Sequence, residues 1–169
     1  MMEKPSHGPD QSEEAERTQG SPPKFAADLM LGRLARWLRL LGADVIWGAD
    51  LHGRALLEAA RREGRFVLTR DKRLRTAPDA LYIESNYFRE QLRQVLARFP
   101  FDPRAHAFTR CSECNEPLSR VSRELVQRRV PPFVYASHET FAECDRCGRI
   151  YWDATHPARA MRELDSLGL

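Results

Sequence analysis

Four cysteines constrain this chain more than any other feature. Cys111, Cys114, Cys144 and Cys147 are the only ones, and they fall into two Cys-x-x-Cys pairs. Each pair presents two thiolates from one tight turn, so bringing two turns together builds a tetrahedral site. Asn115 follows the first pair and Gly148 the second, and both types tolerate the positive φ that a knuckle turn demands. Disulfides are disfavoured where the chain opens without an apolar leader stretch. A redox pair usually stands alone after a strand in a βαβ unit, which these do not. The expected occupant is one structural zinc ion, since four thiolates leave no position open for water or substrate. His138 and His156 are the alternative ligands.

The length of 169 residues suits one domain of ordinary size, or a compact domain with a small appendage. No run of about eighteen apolar residues occurs, so no membrane-spanning helix is expected. With a polar start, the protein is expected in the cytoplasm. The net charge of +3 is uneven: residues 1–23 carry two cations against five carboxylates, which leaves +6 beyond them, nearly all its cations being arginine. A guanidinium fork matches phosphate, so a nucleic-acid partner is one reading. A GC-rich coding sequence is the other.

Residues 1–23 are rich in Pro, Gly, Ser, Gln and Glu and cannot offset their ordering entropy by burial, so a disordered tail is expected. From Lys24 onward, strand-like and helical patterns alternate. Residues 25–27 read as a strand. Leu31, Leu34, Ala35, Leu38 and Leu41 make one helix face, stopped by Gly42. Residues 44–47 form a strand, 54–62 a helix, 65–69 a strand, 72–76 a polar turn, 80–84 a strand and 88–99 an amphipathic helix. This α/β order predicts a parallel sheet flanked by helices over residues 24–100. Residues 101–109 then read as a linker, and 110–169 as a four-cysteine zinc ribbon with a C-terminal helix. Inside that ribbon, residues 121–126, 133–135 and 151–152 are expected as strands.

Asp28 ends the first strand, Asp50 lies just past the second and Asp71 follows the third. In a parallel sheet all three belong to the C-terminal edge, where open α/β sheets keep their active sites. Converging carboxylates are costly unless they share a cation or shift their pKa values, and the matching cation is a hard one, Mg²⁺ or Mn²⁺. Each is equally a candidate N-cap, Asp71 above all. Arg33, Arg36 and Arg39 recur every third position on the first helix, and Arg70 adjoins Asp71. Such cations suit a phosphodiester backbone; a solvated basic face is the plain alternative.

The strings Asp28-Leu-Met-Leu-Gly-Arg-Leu-Ala-Arg-Trp-Leu-Arg39-Leu-Leu-Gly42, Leu68-Thr-Arg-Asp71, Glu90-Gln-Leu92, the cysteine pairs and Gly148-Arg-Ile-Tyr-Trp152 together resemble the Mut7-C RNase domain family, over about residues 25–161. The resemblance implies a PIN-like nuclease fold carrying a zinc ribbon, and a metal-dependent ribonuclease with acidic residues at the sheet edge. Asp28 and Asp71 are the matching acidic positions, and Asp50 lies in the matching acidic loop. The leading reading has a catalytic Mg²⁺ or Mn²⁺ on Asp28 and Asp71, Asp50 as a weaker third ligand, and RNA positioned by Arg33, Arg36, Arg39 and Arg70. Family members usually continue that loop with further acids. Here it runs Asp50-Leu-His-Gly-Arg54, with Gly53 where a carboxylate is expected. The second reading is therefore a catalytically degenerate RNA-binding or adaptor protein of the same fold. Trp152 and Tyr151 either stack on bases or pack the knuckle.

Overall fold

Phe25, Ala26 and Ala27 are all fully buried, as a central strand covered on both faces must be. The computed structural model describes residues 22–152 and 155–166, with side chains in the last helix from residue 161; the expected tail lies outside it except for residues 22 and 23. The order is β1 (Lys24–Ala27), a 3₁₀ turn (Leu29–Leu31), α1 (Gly32–Leu40), β2 (Asp44–Ile46), α2 (Gly53–Arg62), β3 (Phe66–Thr69), a second 3₁₀ turn (Lys72–Leu74), β4 (Ala80–Tyr82) and α3 (Phe88–Arg98). The four strands form one sheet in the order β2-β1-β3-β4, and every pair is parallel. From β1 the chain winds outward to β2, then crosses back for β3 and β4. The winding therefore reverses between β1 and β3, the crevice where such sheets bind ligands.

The two-residue period of the strands divides the core. Phe25 and Ala27 face Leu34 and Leu38 of α1 with Leu92 and Val95 of α3, while Ala26 and Val67 face Leu56 and Ala60 of α2. Each fully buried leucine stabilises by about 2 kcal/mol. After α1 the chain turns at Gly42, whose φ is +92° and whose missing Cβ would collide with the His106 backbone. Only glycine meets both demands.

Residues 101–109, expected as a linker, hold α4 (Pro103–His106), capped by Asp102, which accepts from the Arg104 N–H at 2.8 Å. Phe101 is buried in the main core, and the Phe108 N–H donates to the Leu40 carbonyl at 2.8 Å. Beyond lie β5 (Ser119–Val121), α5 (Arg123–Val126), α6 (Pro132–Ser137), β6 (Phe141–Glu143), β7 (Ile150–Trp152) and α7 (Thr155–Ser166). Strands β5-β6-β7 make an antiparallel sheet over a separate core of Val126, Val130, Val134 and Phe141.

Two expected strands are corrected here, because residues 123–126 and 132–137 are helical. Pro132 opens α6 at a position where its missing N–H costs nothing. Val126 at the end of α5, Val130 in the bend between α5 and α6, and Val134 in α6 share one buried core, a tertiary arrangement that a strand reading overlooks. Leu164 of α7 is buried in the main core, so the C-terminal helix packs on the α/β part. No described helix is long and apolar enough to cross a membrane.

Candidate functional site

The apolar run of β3 ends in a fully buried threonine, Thr69, whose hydroxyl needs partners where no water reaches. It donates to Asp28 Oδ2 at 3.0 Å and accepts from the Asp71 N–H at 3.0 Å. One hydroxyl thus ties the end of β1 to the end of β3. Asp28 is half-buried and does not cap its 3₁₀ turn; its Oδ1 meets no donor among the described residues. Asp71 is the capping residue, accepting from the Arg73 N–H at 3.0 Å. The Arg73 guanidinium also holds both its oxygens, with Nη2 at 2.6 Å from Oδ2. The Arg73 side chain first, and then its N–H, hold the Asp71 carboxyl below the usual carboxylate range. Since 85% of the Arg73 side chain is exposed, this pair is screened and opens at little cost.

Asp50 does not join them. The chain runs four residues past β2, through a turn closed by the Leu51 N–H on the Gly48 carbonyl, and Asp50 stands exposed. Among the described residues, only the four cysteines gather three or more possible ligand atoms within 4.8 Å. Asp28, Asp50 and Asp71 do not converge as such a trio, which corrects the three-carboxylate expectation. Thr69 was not foreseen as a site residue, nor was Ser85 past β4. The Ser85 carbonyl accepts from Arg70 Nη1 at 3.2 Å and from the buried Gln91 Nε2 at 2.9 Å, and its hydroxyl donates to Glu90. The available signal is a threonine closing an apolar strand just before Arg-Asp.

The helix arginines separate. Arg33 is exposed, its guanidinium 4.4 Å from the Phe88 ring centroid. Arg36, also exposed, lies 5.7 Å from the Trp47 ring and 3.5 Å from Glu113. Arg39 is only 3% exposed, because six residues carry it about 120° round the helix from Arg33. It donates to the Val45 carbonyl at 2.9 Å, the Ser112 carbonyl at 3.1 Å and the Glu113 carbonyl at 2.7 Å. The expectation that Arg39 contacts RNA is corrected: it is an internal clamp on the first cysteine turn.

That turn and its partner form the second centre. The four thiols are free, and the Sγ atoms of Cys111 and Cys147 lie 3.8 Å apart. Tetrahedral zinc with bonds of about 2.3 Å sets its sulfurs about 3.8 Å apart, so the donor set fits. Asn115 and Gly148 both have φ +68°, and their N–H groups close the two turns onto the carbonyls of Cys111 and Cys144. Burial pushes the Cys111 thiol up, but the Tyr151 hydroxyl and the N–H groups of Cys114 and Glu113 outweigh it and bring it down to about 7. Tyr151 donates to Cys111 Sγ at 3.0 Å and accepts from the Ser112 N–H at 3.2 Å, while Trp152 packs on the small core. Tyr151 thus holds the first cysteine turn through its hydroxyl, and Trp152 packs the module's core. The cluster does not include His138, and the His156 side chain lies outside the described residues. The four cysteines are placed to bind a metal such as zinc.

The model of the Mut7-C RNAse domain matches residues 23–164. The chain belongs to that family. No curated protein matches it. Membership points to a nuclease role with RNA as the substrate, and the matched span contains Asp28, Asp71 and all four cysteines.

Within this Mut7-C chain one carboxylate joins the sheet to the cysteine turn. Asp44 Oδ1 accepts from Arg65 Nη1 at 2.7 Å and from Asn115 Nδ2 at 2.7 Å, while Asn115 Oδ1 accepts from the Val45 N–H at 2.9 Å. Burial acts to raise the Asp44 carboxyl, but the hydrogen bonds from Arg65 and Asn115 and the charges of Arg65 and Arg110 outweigh it, so its pKa lies below the usual range. Asp44→Asn is expected to cost about 2 kcal/mol at neutral pH, between an exposed pair and a fully buried one. An unfolded Asp titrates near about 3.9. The contribution is therefore present above that pH and lost as pH falls through the lower folded value. Urea midpoints of wild type and variant should draw together as pH falls from about 3.9 through that lower folded value; a gap that persists undiminished below it would refute this role, and the shared cysteines cancel in the comparison.

Proposed function

We propose that this protein is a metal-dependent ribonuclease that hydrolyses RNA phosphodiester bonds at the C-terminal edge of β1 and β3. The observation that carries the proposal is the Thr69 hydroxyl, which holds the Asp28 carboxylate beside the Asp71 backbone at the reversal of winding. The parallel sheet with its acidic edge also fits a PIN-like nuclease. Mg²⁺ or Mn²⁺ needs only one or two protein carboxylates and keeps several waters. Asp28, with an open oxygen, and Asp71, once Arg73 turns away, supply that donor set without Asp50. When bound, the ion lowers the pKa of a water and offsets charge building on the phosphate. Thr69 fixes the orientation of Asp28, and the exposed Arg33 and Arg36 with Arg70 hold the backbone.

The test uses labelled single-stranded and structured RNAs with Mn²⁺, comparing wild type with the Asp28→Asn/Asp71→Asn double variant. Cleavage by the variant should fall about a thousandfold. Equal cleavage by both, or by neither, removes the catalytic reading.

One observation favours an RNA-binding protein without catalysis. Gly53 opens α2 at φ +51° where a family acid is expected, and an L-residue there would be strained. Titration calorimetry separates the readings: Mn²⁺ should bind wild type and not the double variant, and no binding to either favours the degenerate protein.

A further inference from the structure

We infer that the cleft between α1 and the first cysteine turn is a nucleotide subsite for a single strand of RNA whose scissile bond lies at the sheet edge. The inference rests on the ribonuclease reading and adds where the strand runs beyond the acidic residues. The cleft measures about 430 Å³ and is lined by Arg33, Arg36, Trp37, Leu40 and Ser112. That volume lies in the range of small-ligand sites.

Its chemistry suits a nucleotide. Arg33 has no carboxylate partner among the described residues and rests only on the Phe88 ring, so its charge is left to an incoming phosphate. Arg36 is half-exposed and lies beside the Trp47 ring, and its one described carboxylate partner is Glu113 at 3.5 Å. Trp37 leans on Phe88 with centroids 5.1 Å apart, and its indole N–H donates to no described acceptor. An indole beside guanidinium groups is a stacking surface for bases of any sequence. Leu40 adds apolar area, and Ser112 brings a hydroxyl that meets Tyr151 only at 3.4 Å.

Position supplies the rest. Helix α1 begins four residues after Asp28, and Arg33 to Leu40 spans about 10 Å of its axis. A strand leaving the sheet edge along this face passes Arg33 and Arg36 and reaches Ser112, between the two cysteines of the first pair. The cysteine module then forms one wall of the substrate path.

The test crosslinks an iodouridine-containing decauridylate to the full-length Asp28→Asn/Asp71→Asn variant, with adducts mapped by peptide mass spectrometry, beside cleavage assays on wild type. Adducts on residues 33–40 or 111–115 are expected. Wild-type cleavage with adducts confined elsewhere overturns the subsite and leaves the ribonuclease reading standing. Adducts in the cleft without wild-type cleavage support the subsite and overturn catalysis, and the absence of both overturns both. Ser112→Asp, which keeps the backbone bonds of the turn, should weaken decauridylate binding about tenfold in fluorescence anisotropy by setting a carboxylate against phosphate. An unchanged Kd with unchanged zinc content overturns the assignment.

Discussion

Replacing Arg39 with methionine is expected to lower the unfolding free energy by about 3 to 5 kcal/mol, the largest loss of any single arginine in α1. The methionine preserves apolar contact but leaves the carbonyls of Val45, Ser112 and Glu113 without their donor, and each buried acceptor so stranded costs about 1 to 3 kcal/mol. The exposed Arg33→Met and Arg36→Met should change stability by no more than about 1 kcal/mol. Arg39→Lys should fall between, because one ammonium cannot reproduce a planar fork spread over three acceptors. Urea unfolding of the four variants reads this directly, and an Arg39→Met midpoint equal to that of Arg33→Met would sink the clamp.

Metal removal should have the widest effect. A four-thiolate zinc site of this kind contributes on the order of 10 kcal/mol to the folding of what it organises. We expect one equivalent of zinc per chain. After chelation, hydrogen exchange should rise first across residues 110–152, whose own core is small. The loss should also reach past the module. Arg39 grips the Ser112 and Glu113 carbonyls, and Asn115 bonds both Asp44 and the Val45 N–H, so β2 and the last turn of α1 should lose protection as well. Chelation that leaves 110–152 unchanged would mean the cysteines hold no structural ion. Loss confined to 110–152 would mean the two parts are energetically separate.

Some of this was legible in local pattern. Apolar runs broken by Asp28, Gly42 and Asp71 mark strand ends and turns because short-range sterics and hydrogen bonding act within a few residues. The same holds for the cysteine pairs, since each knuckle is closed by its own backbone and by Asn115 or Gly148 at positive φ. Where locality fails, so does the reading. Residues 123–137 contain β-prone valines and aromatics, yet proline geometry and a shared core make two short helices of them, 123–126 and 132–137. Arg33, Arg36 and Arg39 look alike in a string and differ only in what packs beside them.

The sequence by itself determined the alternating α/β framework with its parallel sheet, the four-thiolate centre and the acidic ends of β1 and β3. Each depends on residue type and on spacings of a few positions. Only the tertiary structure decided that Arg39 is buried, that Asp50 stands apart, that Thr69 ties Asp28 to Asp71, and that α7 returns to the main core. Those outcomes hang on partners distant in sequence, such as Ser112 and Glu113, 73 and 74 residues from Arg39. Whether a charged side chain meets water or a carbonyl is settled by the packing of the whole chain, not by its neighbours in sequence.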